Sequence, residues 1–174
     1  GDKVRIVFKN NPLPFHRDAP LAAQAAIAAG RQGKFWEMHD LLFENMRALK
    51  RENLERYAGE LGLDMSRFKA DLVSPATLRQ VADDQALAKR LGARGTPHLF
   101  VNGVRIPGAQ SFDRFKTIVD AQLTKAQALL SQGVRRADIY GQLVKTNYEA
   151  PKPRQPRRGA ADDSKVVYKV PTGS

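Results

Sequence analysis

Thr96-Pro97 stands at the mouth of a short apolar stretch, "HLFV", that Asn102-Gly103 turns back into "VRIP". Few features constrain a fold as tightly. Asn-Gly between apolar runs is the strongest short-range signal for a β-hairpin, because both turn residues tolerate positive φ. Proline donates nothing to a ladder, so within sheets it keeps to edges, first residues and bulges. A proline directly before the first strand is therefore a deliberate backbone device, either an edge-strand proline or a cis peptide at Thr96-Pro97. The chain must build at least one antiparallel pair whose entrance is fixed by this bond.

Helices surround the hairpin. "LAAQAAIAAG", ending at Gly30, follows Asp18, expected as its cap, with Pro20 in the first turn. Its alanine density predicts a helix packed closely on its neighbours. "KFWEMHDLLFENMRAL" places Phe35, Met38, Leu42 and Met46 at helical spacing over Lys34–Leu49. "RENLERYAGELGL" turns Leu54, Tyr57 and Leu61 inward and stops at Gly62; Asp64 caps a shorter helix. Ser74-Pro75 is the clearest start signal in the chain, opening a helix that runs to Gly92. After the hairpin come a long amphipathic helix over Ser111–Gly133 and a short one, "RADIYGQLVK". At the other end, "KVRIVFK" alternates Val4, Ile6 and Phe8 on one face and predicts a strand over Lys3–Lys9. A strand before the helices and a hairpin after them predict an α+β chain, a sheet covered by helices.

The chain has 174 residues, 42% of them hydrophobic, enough for one domain with a core. No run approaches the roughly 18 apolar residues of a membrane span. The opening Gly1-Asp2-Lys3 has neither an initiator Met nor a signal pattern, so the natural N-terminus is expected upstream. From Asn147 the composition shifts to proline, charge and small residues. Residues 1–146 therefore read as the domain. Residues 147–174 read as a Pro/basic linker ending in the strand-like "KVVYKV".

The net charge is +11, but residues 147–174 carry only +3 of it and no long basic run exists. "KPRQPRR" (Lys152–Arg158) lacks the interleaved aromatics that single-strand binding needs, and reads as linker. Neither nucleic acid nor membrane is expected as a partner. There are no cysteines, which excludes a disulfide, a thiolate metal site and a cysteine nucleophile within these residues. His16, His39 and His98 lie far apart with no i, i+4 pair, so neither a metal nor another cofactor is expected. His39 is expected as a partly buried core histidine. Asp83-Asp84 and Glu37 are expected on solvated helix faces, and Phe35, Trp36 and Phe43 in the core. No phosphate-binding loop or dinucleotide fingerprint is present.

Two stretches together resemble the DsbA-like family of the thioredoxin superfamily. "GDKVRIVFKNNPLPFHRDAPLAAQAAIAAGRQGKFWEMHDLLFEN" resembles the segment after that family's active-site helix. "ALAKRLGARGTPHLFVNGVRIPGAQSFDRFKTIVD" resembles its cis-proline loop, hairpin and final helix. The resemblance covers Asp2 to Leu123. It implies a thioredoxin-like mixed sheet with a helical insertion, incomplete here at the N-terminus, where the family has its first core strand and Cys-x-x-Cys. That strand would lie between "VRIVF" and the hairpin. Thr96 and Pro97 would fill the substrate-docking role, with Gly95 and His98 beside them. His98 would tune the pocket. The implied activity is thiol–disulfide exchange by a bacterial, periplasmic or otherwise extracytoplasmic protein, on an extended polypeptide or thiol-containing protein. The exchange needs an attacking thiolate. The chain therefore reads as a redox-inactive fragment of such an oxidoreductase, with no catalytic residue of its own. The alternative is a cysteine-free peptide-binding or structural module. The ending "KVVYKVPTGS" resembles the lead-in to another such domain, which implies a tandem arrangement. A cut gene model is equally compatible with that ending. A less favoured alternative has "KVVYKV" fold back, or swap from another copy, into the missing strand's place.

Overall fold

In a computed structural model, which describes residues 3–150, the first five helices form one bundle. Helix α1 (Ala19–Gly30) is its hub, in contact with α2 (Phe35–Glu44), α3 (Arg51–Glu60), α4 (Met65–Leu72) and α5 (Pro75–Arg90). The alanines explain how one helix can touch four. Ala25, Ala28 and Ala29 are fully buried and have no side chain beyond Cβ, so neighbouring helices approach closely. Between them sit Met38, Leu54, Tyr57, Phe68 and Leu72. Each buried side chain of this size stabilises by about 1.5–3 kcal/mol. The surface pairs Lys34–Glu37 and Arg51–Glu55 are screened by solvent and contribute little. Packing therefore decides this fold.

The helix starts follow their capping residues. The Asp64 carboxylate accepts from the Arg67 amide at 3.0 Å, and the Ser74 hydroxyl accepts from the Thr77 amide at 3.2 Å. Asp18 differs: it holds the N-cap position of α1, but its side chain makes no cap bond. Helix α2 also stops earlier than its spacing predicts. Asn45 turns its amide back onto the Leu41 carbonyl at 2.8 Å, and Met46 is left exposed. Arg31 joins the end of α1 to the α4–α5 corner through Asp71 (2.6 Å) and the Ser74 hydroxyl (3.1 Å).

The remaining elements are β1 (His98–Val101), β2 (Val104–Pro107), α6 (Phe112–Ser131) and α7 (Arg136–Asn147). The strands pair antiparallel, with Val101 opposite Val104 and His98 opposite Pro107. Asn102 and Gly103 both take positive φ, +48° and +91°, as the Asn-Gly signal requires. Helix α6 packs on β1, and Asn147 of α7 donates to the Asn102 carbonyl at 3.1 Å. Ile106, Ile139 and Leu143 are buried in this second region.

Among the described residues, which are mostly helical, the expected mixed sheet is thus reduced to one hairpin. Lys3–Lys9 is not a strand, and Val4, Ile6 and Val7 are exposed. Alternation alone cannot hold a strand; it needs a ladder partner, and none lies beside this segment among the described residues. The segment is tied instead to α5. Asp84 accepts from the Asn10 amide (3.0 Å), the Asn10 side chain (3.1 Å) and Lys9 (2.9 Å). Gln85 donates to the Pro12 carbonyl at 2.8 Å. Asp84 was expected on a solvated face and is 3% exposed. It continues the inward stripe of Thr77 and Val81 on α5. The tail beyond Ala150, with "KPRQPRR" and "KVVYKV", lies outside the described residues.

Candidate functional site

Helix α5 ends at Arg90, and a short exposed loop leads to the hairpin. Its last peptide, Thr96-Pro97, is cis, as the family resemblance implies. Residues Arg94 to Pro97 are all exposed. The four expected site residues, Gly95, Thr96, Pro97 and His98, lie in one run from the loop into β1. Gly95 and Thr96 have no hydrogen-bond partner among the described residues.

The hairpin register gives this loop a direction. The two-residue turn makes Val101–Val104 a hydrogen-bonded pair, so Leu99–Ile106 is the next such pair. The Pro97 carbonyl extends the series by accepting from the Gly108 amide at 3.0 Å. Odd residues of β1 therefore bond to β2, and the backbone groups of Thr96, His98 and Phe100 point the other way. That outer edge is unpaired among the described residues. The outer edge of β2 belongs to Arg105 and Pro107, and Pro107 has no amide to offer. One edge of the hairpin is blocked by proline; the other offers its donors and acceptors.

His98 and Phe100 share a face of β1, with ring centroids 5.1 Å apart. Opposite them, Arg105 holds its guanidinium 5.4 Å from the Phe100 ring. It also donates to the carbonyls of Leu91 and Gly92 at the end of α5, where the helix dipole favours a cation. The Nε2 atom of His98 is buried and has no partner among the described residues. Burial pushes the His98 pKa down, and the neighbouring Arg105 charge adds to the shift. The imidazole is therefore neutral at pH 7. Sequence reasoning missed Arg105, although its place opposite Phe100 follows from the Asn-Gly register.

The other candidates are placed elsewhere. His39 is half-buried beside the rings of Phe8, Trp36 and Phe43 and bonds to Asp40 at 2.9 Å. Trp36 and Phe43 were expected in the core but are 44% and 58% exposed. With Phe8 they form a surface cluster, because Met38 and Leu42 occupy the inward stripe of α2. Glu37 is on the surface, where its bond to Lys34 holds its pKa below the usual carboxylate range. No group of three metal-ligating side chains occurs among the described residues.

The site can therefore hold an extended backbone by adding a strand to the Thr96–Phe100 edge. It offers no thiolate, since the 174 residues contain no cysteine. The model of the DSBA-like thioredoxin domain matches residues 2–120, most of the chain and all of this site. The chain belongs to the DSBA-like thioredoxin domain family. Its curated relatives include the "Na(+)/H(+) antiporter NhaA" of Herminiimonas arsenicoxydans, 44% identical over 121 residues. That match covers 70% of this chain and 19% of the antiporter. The "Na(+)/H(+) antiporter NhaA 3" of Salinispora tropica is 38% identical over 136 residues, covering 78% of this chain and 21% of the antiporter. The DSBA-like chain thus spans about a fifth of the length of these relatives. No solved structure matches it.

Proposed function

We propose that this chain is the peptide-docking part of a DsbA-like thiol–disulfide oxidoreductase domain. The reacting cysteines are supplied by sequence outside these 174 residues. The observation that carries the reading is the exposed loop before β1, where Gly95 and Thr96 have no hydrogen-bond partner among the described residues. An extended polypeptide or thiol-containing protein lies along Gly95 and Thr96. Pro97 fixes the turn of the loop, and His98 borders the pocket. In this reading the hairpin belongs to a thioredoxin-like mixed sheet whose central strand and Cys-x-x-Cys come from the longer protein. The β1 edge, unpaired among the described residues, and the exposed Val4, Ile6 and Val7 support that completion. The reading places the domain outside the cytoplasm, where disulfides persist. The relatives' names suggest that the longer protein also carries a sodium/proton antiporter.

The cysteine-free composition favours a second reading, a module that docks peptides and does no redox chemistry. Insulin reduction separates the two. The 174-residue chain is expected to be inactive, because exchange needs a thiolate. The full-length parent is expected to be active and to lose most of that activity on Pro97→Ala. A parent with no activity, or one indifferent to Pro97→Ala, overturns the oxidoreductase reading.

A further inference from the structure

The docking loop is short, and both of its ends are fixed. At the far end, the Pro97 carbonyl accepts from the Gly108 amide. At the near end, the amides of Gly92 and Ala93 close α5 by bonding back to the Lys89 and Ala88 carbonyls, at 3.1 and 2.8 Å. The Ala93 carbonyl is held as well, by the Asn11 side chain at 3.1 Å. Asn11 is itself held in place. The residue before it, Asn10, is buried and donates twice to the Asp84 carboxylate, from its amide at 3.0 Å and its side chain at 3.1 Å. Asp84 and Ala88 stand one turn apart on α5. The bonds therefore close a ring: Asp84 to Asn10, Asn11 to Ala93, and Ala93 back to Ala88.

We propose that Asn11 is a positioning residue for peptide docking: by holding the Ala93 carbonyl it fixes the strap Arg94–Thr96 in the conformation that receives an extended polypeptide. The inference rests on the docking role proposed above for Gly95 and Thr96. A donor whose own backbone is anchored orients the carbonyl it meets, and the direction of the Ala93–Arg94 peptide sets where the chain leaves the helix. Only three residues, Arg94, Gly95 and Thr96, then lead to Pro97. That direction therefore decides where Gly95 and Thr96 present their backbone groups. Preorganisation of this kind acts on affinity, because a strap already ordered loses less entropy when the peptide arrives. Gln85 supplies the contrast. It too ties the N-terminal segment to α5, donating to the Pro12 carbonyl at 2.8 Å, but this bond does not reach the docking loop.

Backbone nitrogen relaxation by NMR on the full 174-residue chain tests the hold. Asn11→Asp keeps the side-chain shape and removes the donor. It should lower the order parameters of Arg94, Gly95 and Thr96 from the rigid value of about 0.85 toward about 0.6. Gln85→Leu, which removes the neighbouring bond, should leave them in place. In the full-length parent, Asn11→Asp should raise the KM for insulin about three- to tenfold, the loss of one hydrogen bond, with little change in kcat. Order parameters that Asn11→Asp does not move, or that Gln85→Leu lowers equally, overturn the proposal. So does an unchanged KM in an active parent. A parent that does not reduce insulin overturns the oxidoreductase reading instead, and the order parameters then decide the hold on the strap alone.

Discussion

His98 is the one buried side-chain polar atom without a partner among the described residues, and its consequence is a pH dependence. Burial, then Arg105, lowers its folded-state pKa below the ordinary value of 6.5. The unfolded chain therefore takes up a proton first as pH falls. Stability rises with pH wherever the unfolded state binds more protons. The contribution is whole above the unfolded pKa and declines as pH drops below it, levelling off under the folded pKa. The urea midpoint should thus fall between pH 7.5 and pH 5, and His98→Phe should flatten part of that slope. A slope unchanged by His98→Phe would show that other groups carry it. Asp84 makes a contrasting case. It is as buried as a core residue, yet three donors satisfy it, and it ties the N-terminal segment to α5. The sequence reading put it on a solvated face, although it stands seven residues after Thr77 on the same helical stripe. The partners were not legible, because Lys9 and Asn10 lie more than seventy residues away.

At the scale of elements, local chemistry sets most boundaries, and one turn does more than its own geometry requires. Gly103 takes φ of +91°, and a Cβ there would meet the backbone of α7, 3.1 Å from the Val144 Cα. Gly33 takes φ of +79° with nothing within 4 Å. Gly33→Ala should cost about 1 kcal/mol, the strain of a non-glycine residue at positive φ. Gly103→Ala should cost at least about 2 kcal/mol, since it adds displacement of α7 to the same strain. Chemical denaturation of the two variants checks the order; equal losses would mean that α7 yields without cost. This contrast also marks the limit of reading elements from sequence. Asn-Gly, Ser74-Pro75, Asp64 and the alanine run act on their own neighbours, so their helices and turn were legible. The strand expected at Lys3–Lys9 needed a partner, and its absence from the structure reflects a non-local condition that alternation cannot encode. The aromatic face of α2 was misjudged for a similar reason. Its spacing defines two stripes, and only the bundle decides that Met38 and Leu42 turn inward.

At the scale of the whole molecule, two regions of unequal core share one chain. The bundle buries Tyr57, Phe68, Met38, Leu54 and Leu72, while the hairpin with α6 and α7 buries chiefly Ile106, Ile139 and Leu143. The hairpin and its register were legible from Asn102-Gly103, and the cis bond at Thr96-Pro97 from the family resemblance. The hairpin's coupling to the bundle was not, because that depends on Arg105 reaching Leu91 and Gly92. Local opening energies follow buried apolar contact, so the hairpin region should open below the free energy of global unfolding. In native-state hydrogen exchange, amides of Leu99–Ile106 and of α7 should exchange at lower guanidinium than those around Ala25, Leu54 and Phe68. Arg105→Met keeps the side-chain length but removes both bonds to α5. It should widen the gap between the two groups by about 1.5–3 kcal/mol, the range for hydrogen bonds to a charged group. One shared denaturant dependence for both groups, in the parent chain and the variant alike, would instead show a single cooperative unit. The docking edge would then be as rigid as the bundle that carries it. With the gap present, the edge opens on its own, and a strand can be exchanged there without unfolding the rest.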